Sequence, residues 1–533
     1  MSENAHVIKA AGVVGAATLA SRILGFIRDA VIAWYFGAGL GSDAFFVAFR
    51  VPNTLRRLFA EGSLSIAFIP VFTEYLENRR KEEAFDMARA AIMLLSVILI
   101  VTSVLGILLA PLIVRAFAWG FASSPEKFAL TVHLTRIMFP YVFFICLVAL
   151  CMGILNPLRH FLAPALAPSF LNIAMILSVI VISPYTPNPA TGLAIGVLIG
   201  GFFQLALQVP FLIKKGFKFN PLSSIFNLQS YYHPALERIG KLMVPAVFGA
   251  AVYQVNIVVG TLLASFLPEG SVSCLWFADR LVQFPLGIFG IATATALLPS
   301  LSRQAAAKDF DALKDSFAYA MKLIFFITIP SMTGLIVLRE PIVALLFKRG
   351  AFDAETTRLT AYALLCYSVG LWAFSSVRIV VSTFYALQDT KTPVRMAVIS
   401  IFANIVLGIL LMGPLGHGGL ALSTSLASML NLVLLVYALR LKLGTIKFKS
   451  ILESVCKSVV CSVIMGIVVG AVAHLLVPSG TGTLSALLSG VLISIAVGCL
   501  LYGFLSFLLK SGELESVLGI VRERFGKPRN TRK

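Results

Sequence analysis

The chain has 533 residues, of which 59% are hydrophobic and 13% charged, and its mean hydropathy is +0.93. No soluble domain of this length hides so much apolar surface, so composition excludes a soluble globular enzyme and points to a chain covered by lipid. The net charge of +19 fits the cytoplasmic Lys/Arg bias of membrane proteins, and no soluble domain is left to bind nucleic acid.

Apolar runs of about 20 residues, enough to cross a ~30 Å hydrocarbon core, recur almost end to end. They are continuous rather than alternating, which argues against a β-barrel. We read an all-α polytopic membrane protein with fourteen spans near 10–36, 42–75, 88–118, 130–155, 161–182, 190–213, 238–266, 271–303, 317–347, 356–388, 393–413, 418–441, 451–477 and 483–510. Residues 1–9 are polar with no cleavage site following, so the first span is expected to serve as its own insertion signal. Lys9, Arg79, Arg80, Lys81, Arg89, Arg159, Lys214, Lys215, Lys218, Arg303, Lys308, Lys391, Arg440 and the basic tail after Lys510 fall on one side. Segments 183–190 and 478–483 carry no charge, and Lys348-Arg349 is the main exception. Both termini are therefore predicted cytoplasmic.

The first twelve spans read as two related halves. Gly41-Ser42 opens a segment ending at Pro70, and Gly270-Ser271 opens one ending at Pro299, a shift of 229 residues at both ends. Pro164 and Pro393, which close two further matching segments, are separated by the same 229. Six spans return a chain to its starting side, so both halves have one orientation. Repeats of this kind bind substrate between them and expose it alternately by rocking. The predicted domains are an N-terminal lobe over 1–225, a C-terminal lobe over 226–445, and a final span pair with the tail over 446–533.

Charges inside spans are the second signal. A charge at the bilayer centre costs roughly 2.5–3.5 kcal/mol, so it faces a partner or a wet cavity. In the first span Arg22 and Asp29 share a face, with Ser21, Gly25 and Arg28 beside it. In the second, Asp43, Arg50 and Arg57 are seven apart and Asn53, Arg57 and Glu61 four apart, which makes one polar stripe. Arg56 lies about 100° away, and Pro52 is positioned to bend the helix, so periodicity leaves Arg56 and Arg57 both open. In the eighth span Ser273, Trp276, Arg280 and Gln283 form a similar stripe, with Asp279 placed to orient Arg280. Guanidinium suits bidentate phosphate binding, and the arginines outnumber what nearby carboxylates neutralise cheaply. Against this stands the plainer reading that the charges are buried ion pairs fixing helix packing. Asn172, Gln254, Asn256 and Asn404 read as groups bonding helix to helix.

The seven cysteines have no CxxC spacing and read as small packing residues. No Walker A, GxSxG or HExxH sequence appears, so we expect no enzyme activity, no cofactor and no metal site.

Together these residues resemble the MurJ/MviN family, the lipid II flippase branch of the multidrug/oligosaccharidyl-lipid/polysaccharide exporter superfamily. The resemblance rests on Ser21-Arg22-Ile23-Leu24-Gly25-Phe26-Ile27-Arg28-Asp29, on 43–53 and on Leu55-Arg56-Arg57-Leu58-Phe59-Ala60-Glu61-Gly62. Gly270-Ser271-Val272-Ser273, Ala278-Asp279-Arg280-Leu281 and Gln388-Asp389-Thr390-Lys391-Thr392-Pro393 add to it. It implies an inner-membrane protein with two six-helix lobes that carries the undecaprenyl-pyrophosphate-linked peptidoglycan precursor to the periplasmic leaflet. It also implies required cavity charges at Arg22, Arg28, Asp43, Arg56 and Arg280, with Ser21, Asn53 and Ser273 nearby, and so favours Arg56 over Arg57. Expected partners are that precursor, membrane lipids and cell-wall synthesis proteins. Some members bind sodium through an acidic residue in the seventh span; that span has no such carboxylate beside Gln254 and Asn256, so sodium is not expected here. The alternatives are an exporter of another polyprenyl-pyrophosphate-linked saccharide and a non-transporting scaffold for cell-wall synthesis.

Overall fold

The computed structural model describes residues 3–219, 233–477 and 483–515; the Glu61 side chain and the basic tail lie outside the described residues. The described chain is helical, without strands, and forms two compact units.

Unit 1 comprises Met1–Ser273 with Arg349–Asp353. Its helices are α1 (Glu3–Phe36), α2 (Leu40–Leu55), α3 (Ser65–Asn78), α4 (Lys81–Leu108), α5 (Ala110–Phe117), α6 (Pro125–Met138), α7 (Tyr141–Leu155), α8 (Leu162–Val181), α9 (Pro189–Lys214) and α10 (Pro234–Ala264). Apolar faces of α3, α4 and α7 meet around Phe68, Phe72, Phe85, Met87, Leu150 and Ile154. Helix α9 starts where Asn188 accepts the Ala190 N–H at 3.0 Å and Pro189 fills the first helical position. Gly196 and Gly200 then face α8, and Gly192 the turn after it; an added Cβ would lie 2.5, 2.7 and 2.5 Å from Ser178, Leu171 and Ser183 respectively. Helices in lipid gain little from hydrophobic exclusion, so such close approach holds the pair by contact.

Unit 2 comprises Cys274–Lys348 and Ala354–Lys533. Its helices are α11 (Ser271–Pro285, the first turn clustering with unit 1), α12 (Ile291–Ala306), α13 (Phe310–Val337), α14 (Arg339–Phe347), α15 (Ala354–Ser368), α16 (Leu371–Ala386), α17 (Lys391–Leu443), α18 (Phe448–Leu476) and α19 (Leu484–Leu508). Phe317, Met321 and Phe325 of α13 pack on Ile379, Val380 and Phe384 of α16 and on Leu435 of α17. Cys461 and Met465 of α18 and Tyr502 of α19 join Phe326 in a further cluster, and the Tyr502 hydroxyl donates to the Phe326 carbonyl at 2.8 Å. The eleventh and twelfth predicted spans both lie in α17, which is two helices meeting at a kink at Gly416, whose φ is +56°.

The repeat read from proline and glycine positions recurs in the helix boundaries. α4, α5 and α6 begin at Lys81, Ala110 and Pro125; α13, α14 and α15 begin at Phe310, Arg339 and Ala354, each 229 residues later. Arg159 and Gln388, 229 apart, both have positive φ, 55° and 57°. The second span departs from expectation. Between α2 and α3 lies a nine-residue π-helix, Arg56–Leu64, and a shorter one, Leu286–Gly290, recurs between α11 and α12. The i→i+5 bonding slips the helix phase at Arg56, so the continuous stripe through Arg57 is interrupted. Asp43 is buried, Arg50 and Arg56 half-buried, and Arg57 exposed.

Among the described residues nine helical segments are long and apolar enough to cross a membrane, and the bent pair α15–α16 makes a tenth. Leu108, Phe402, Ile467 and Leu500 are each more than three-fifths exposed, as lipid-facing side chains of a multi-pass membrane protein are.

Asp389, in the turn before α17, accepts from the Thr392 N–H and hydroxyl at 3.0 and 2.7 Å and pairs with Lys442. The Lys442 hydrogen bond, helped by Thr392 against partial burial, holds its carboxyl well below the usual carboxylate range. A depressed folded pKa stabilises the fold above the unfolded value of about 3.9, and that stabilisation is lost as pH falls toward the folded pKa. Asp389→Asn is expected to destabilise the protein at pH 7 by up to ~1 kcal/mol, the upper end for a partly exposed pair. The gap in thermal unfolding between variant and parent should shrink below about pH 4; a gap unchanged down to pH 3 would refute this.

Candidate substrate-binding site

The first cluster is built on α1 and α8, which pack along each other. Arg28 is 8% exposed and Asp29 2%. Arg28 donates from Nε and Nη2 to Asp29 Oδ1 at 3.0 and 2.7 Å, and from Nη1 to Asn172 Oδ1 at 3.0 Å. Asn172 in turn donates to the Ser21 carbonyl at 3.1 Å, and a Cβ on Gly25 would lie 3.5 Å from its amide nitrogen. A buried guanidinium is thus aimed by one carboxylate and one amide, with three of its five N–H donors engaged in these bonds. Arg22 is exposed on the same helix and Ser21 half-buried. Asn172 does bond helix to helix, as read from the sequence, but its partner is the leading candidate arginine.

The second cluster surrounds Asp43, in the first turn of α2 and 1% exposed. Oδ1 accepts from the Ser273 N–H at 2.9 Å and the Ser273 hydroxyl at 2.6 Å. Oδ2 accepts from the Gly270 N–H at 2.8 Å and Lys127 Nζ at 2.7 Å. Beside it Glu269 Oε1 accepts the Leu40 N–H at 2.6 Å. Leu40 and Glu269 are themselves 229 residues apart, so equivalent points of the repeat meet here. Ser273 joins Asp43 as a capping partner. Lys127 is a residue that sequence reasoning missed.

Further along α2, Arg50 donates to Thr261 of α10, and Asn53 donates back to the Phe49 carbonyl at 3.1 Å. Arg56 is the first residue of the π-helix, which packs against α7. In unit 2 the Arg280 guanidinium stacks on the Trp276 ring at 4.7 Å, and Asp279 accepts weakly from Gln283 at 3.4 Å. The structure therefore brings Arg28, Asp29 and Ser21 together around Asn172, and Ser273 and Lys127 together around Asp43.

A helical chain with many apolar spans, an internal repeat and guanidinium groups held in its helices is built as a polytopic membrane transporter. The family model described as lipid II flippase MurJ matches residues 32–490. The chain belongs to that family. It is 41% identical over 448 residues to a Vibrio cholerae protein named "Probable lipid II flippase MurJ", covering 82% of this chain and 83% of the relative. A solved structure described as lipid II flippase MurJ in an inward closed conformation superposes with a TM-score of 0.77 at 30% identity, over 93% of this chain and 99% of that one. An inward-facing multidrug resistance MATE transporter shares the fold alone, at 15% identity and a TM-score of 0.67, over 80% of this chain and 95% of that one.

Proposed function

We propose that this chain transfers lipid II, the undecaprenyl-pyrophosphate-linked peptidoglycan precursor, from the cytoplasmic to the periplasmic leaflet of the bacterial inner membrane by alternating access. The fourteen spans, the two six-span lobes over 1–225 and 226–445, the appended pair over 446–533 and the cytoplasmic termini belong to this reading. The observation that carries it is the buried Arg28 guanidinium, held by Asp29 and Asn172 in a member of the MurJ family. A pyrophosphate cannot cross hydrocarbon unaided, and a fixed planar fork meets its oxygens bidentately. Asp29 already neutralises much of the Arg28 charge, which keeps anion binding moderate enough for release. Arg22, Arg56 and Arg280 supply further positive charge, Asn53 and Ser273 polar contacts, and Arg50, Arg57, Glu61 and Asp279 the surrounding field. Asp43 contributes by holding the Gly270–Ser273 backbone. The polyprenyl tail stays in lipid.

A leaflet-accessibility assay for the lipid precursor tests the reading. Arg280→Ala is expected to lower transfer about tenfold or more at wild-type abundance, because a charge-assisted bidentate contact is lost. Normal peptidoglycan precursor with accumulation of another polyprenyl-linked saccharide on depletion would point to the related exporters instead. Lost abundance with undiminished transfer per molecule would leave Arg280 a packing residue.

A further inference from the structure

The first turn of helix α6 carries one residue that suits its dipole, Glu126, and one that does not. The second, Lys127, stands at the end where a cation is disfavoured and is only 6% exposed. A lysine so placed needs compensation, and two groups provide it: Asp43 Oδ2 at 2.7 Å and the Phe121 ring at 4.3 Å. The partners of Asp43 fall into two kinds. Lys127 lies on α6, which packs along α2 within the first copy of the repeat. Gly270 and Ser273 stand 227 and 230 residues beyond Asp43, at the start of the equivalent helix in the second copy.

We propose that Lys127 is a positioning residue for transfer: it holds the Asp43 carboxylate aimed at the Gly270 and Ser273 amides. This rests on the alternating access proposed above and adds to it that those amide bonds break and re-form during each cycle. The ion pair stays within one packed helix pair while the amides leave and return. Without Lys127 the carboxylate loses its counter-charge where it is most deeply buried, so the amide-bound arrangement is weakened more than a water-exposed one.

Hydrogen–deuterium exchange of the purified full chain reads the Gly270 and Ser273 amides directly, alongside precursor transfer in cells. Lys127→Met is expected to raise exchange in the peptide holding both amides about tenfold or more and to lower transfer to a similar degree, with the α13–α18 packing unchanged. Asp43→Asn, which leaves the lysine buried without its carboxylate, is expected to do the same. The double variant Asp43→Asn/Lys127→Met removes both charges, so its exchange should rise by clearly less than the product of the two single effects. Wild-type exchange and transfer in Lys127→Met would overturn the proposal, and so would multiplicative effects in the double variant. If Lys127→Met does not accumulate, the double variant decides: recovery of the chain supports the pairing and no recovery overturns it. Coupled exchange in a protein that moves no lipid II would remove the proposed function and leave the pairing standing.

Discussion

Arg28→Lys is expected to reduce lipid precursor transfer by about tenfold to a hundredfold while leaving abundance near wild type, because an ammonium keeps the charge but loses the planar fork. One nitrogen cannot reproduce the bonds that Nε, Nη1 and Nη2 make to Asp29 and Asn172 and still present an aligned donor to a phosphate. Arg28→Ala should behave differently. It strips a carboxylate that is 2% exposed of its guanidinium, and breaking a buried pair from one side costs roughly 3–5 kcal/mol. Abundance should therefore fall with transfer. Arg28→Ala/Asp29→Ala, which removes the carboxylate as well, should recover abundance but not transfer. The measurements are membrane protein level and precursor accessibility in the outer leaflet. Full recovery of transfer in the double variant would mean that the pair serves packing alone.

Gly120→Ala is expected to destabilise the protein by about 3 kcal/mol, the upper end for overpacking. Gly120 follows α5 in the short turn Trp119–Ser123, and its N–H donates to the Ser265 hydroxyl at 2.9 Å. A Cβ there would sit 2.3 Å from the Ser265 carbonyl oxygen, 2.5 Å from its carbon and 2.6 Å from the Phe266 nitrogen. These are backbone atoms at the end of α10, so no rotamer relieves the clash. The same exchange at Gly503, inside α19 with nothing within 4 Å of the new Cβ, should be neutral or stabilise by up to ~1 kcal/mol, the helix propensity difference. Thermal unfolding of the two variants in one detergent tests the pair of signs, and equal shifts would show that close approach at Gly120 does not matter.

Much of the architecture was legible because membrane helices announce themselves in composition. Every described span long enough to cross a bilayer lies over a predicted one, since in lipid the backbone must bond within its own segment. The 229-residue repeat, read from Gly41, Gly270, Pro70 and Pro299, reappears in helix starts at Lys81 and Phe310 and in the left-handed turns at Arg159 and Gln388. The polar stripe of the second span was misjudged where the 3.6-residue period was carried through Arg56, because nothing in a hydropathy pattern marks a switch to π-helix.

By itself the sequence determined the helical membrane class, the repeat and the arginine-rich character of its spans, all of which follow from local composition and spacing. Tertiary structure alone decided that Asn172 aims Arg28 and that Lys127 neutralises Asp43, pairings made across 144 and 84 residues. No local periodicity reports such partners; they are selected when helices pack, because a buried charge must find its counter-charge wherever the fold brings one within reach.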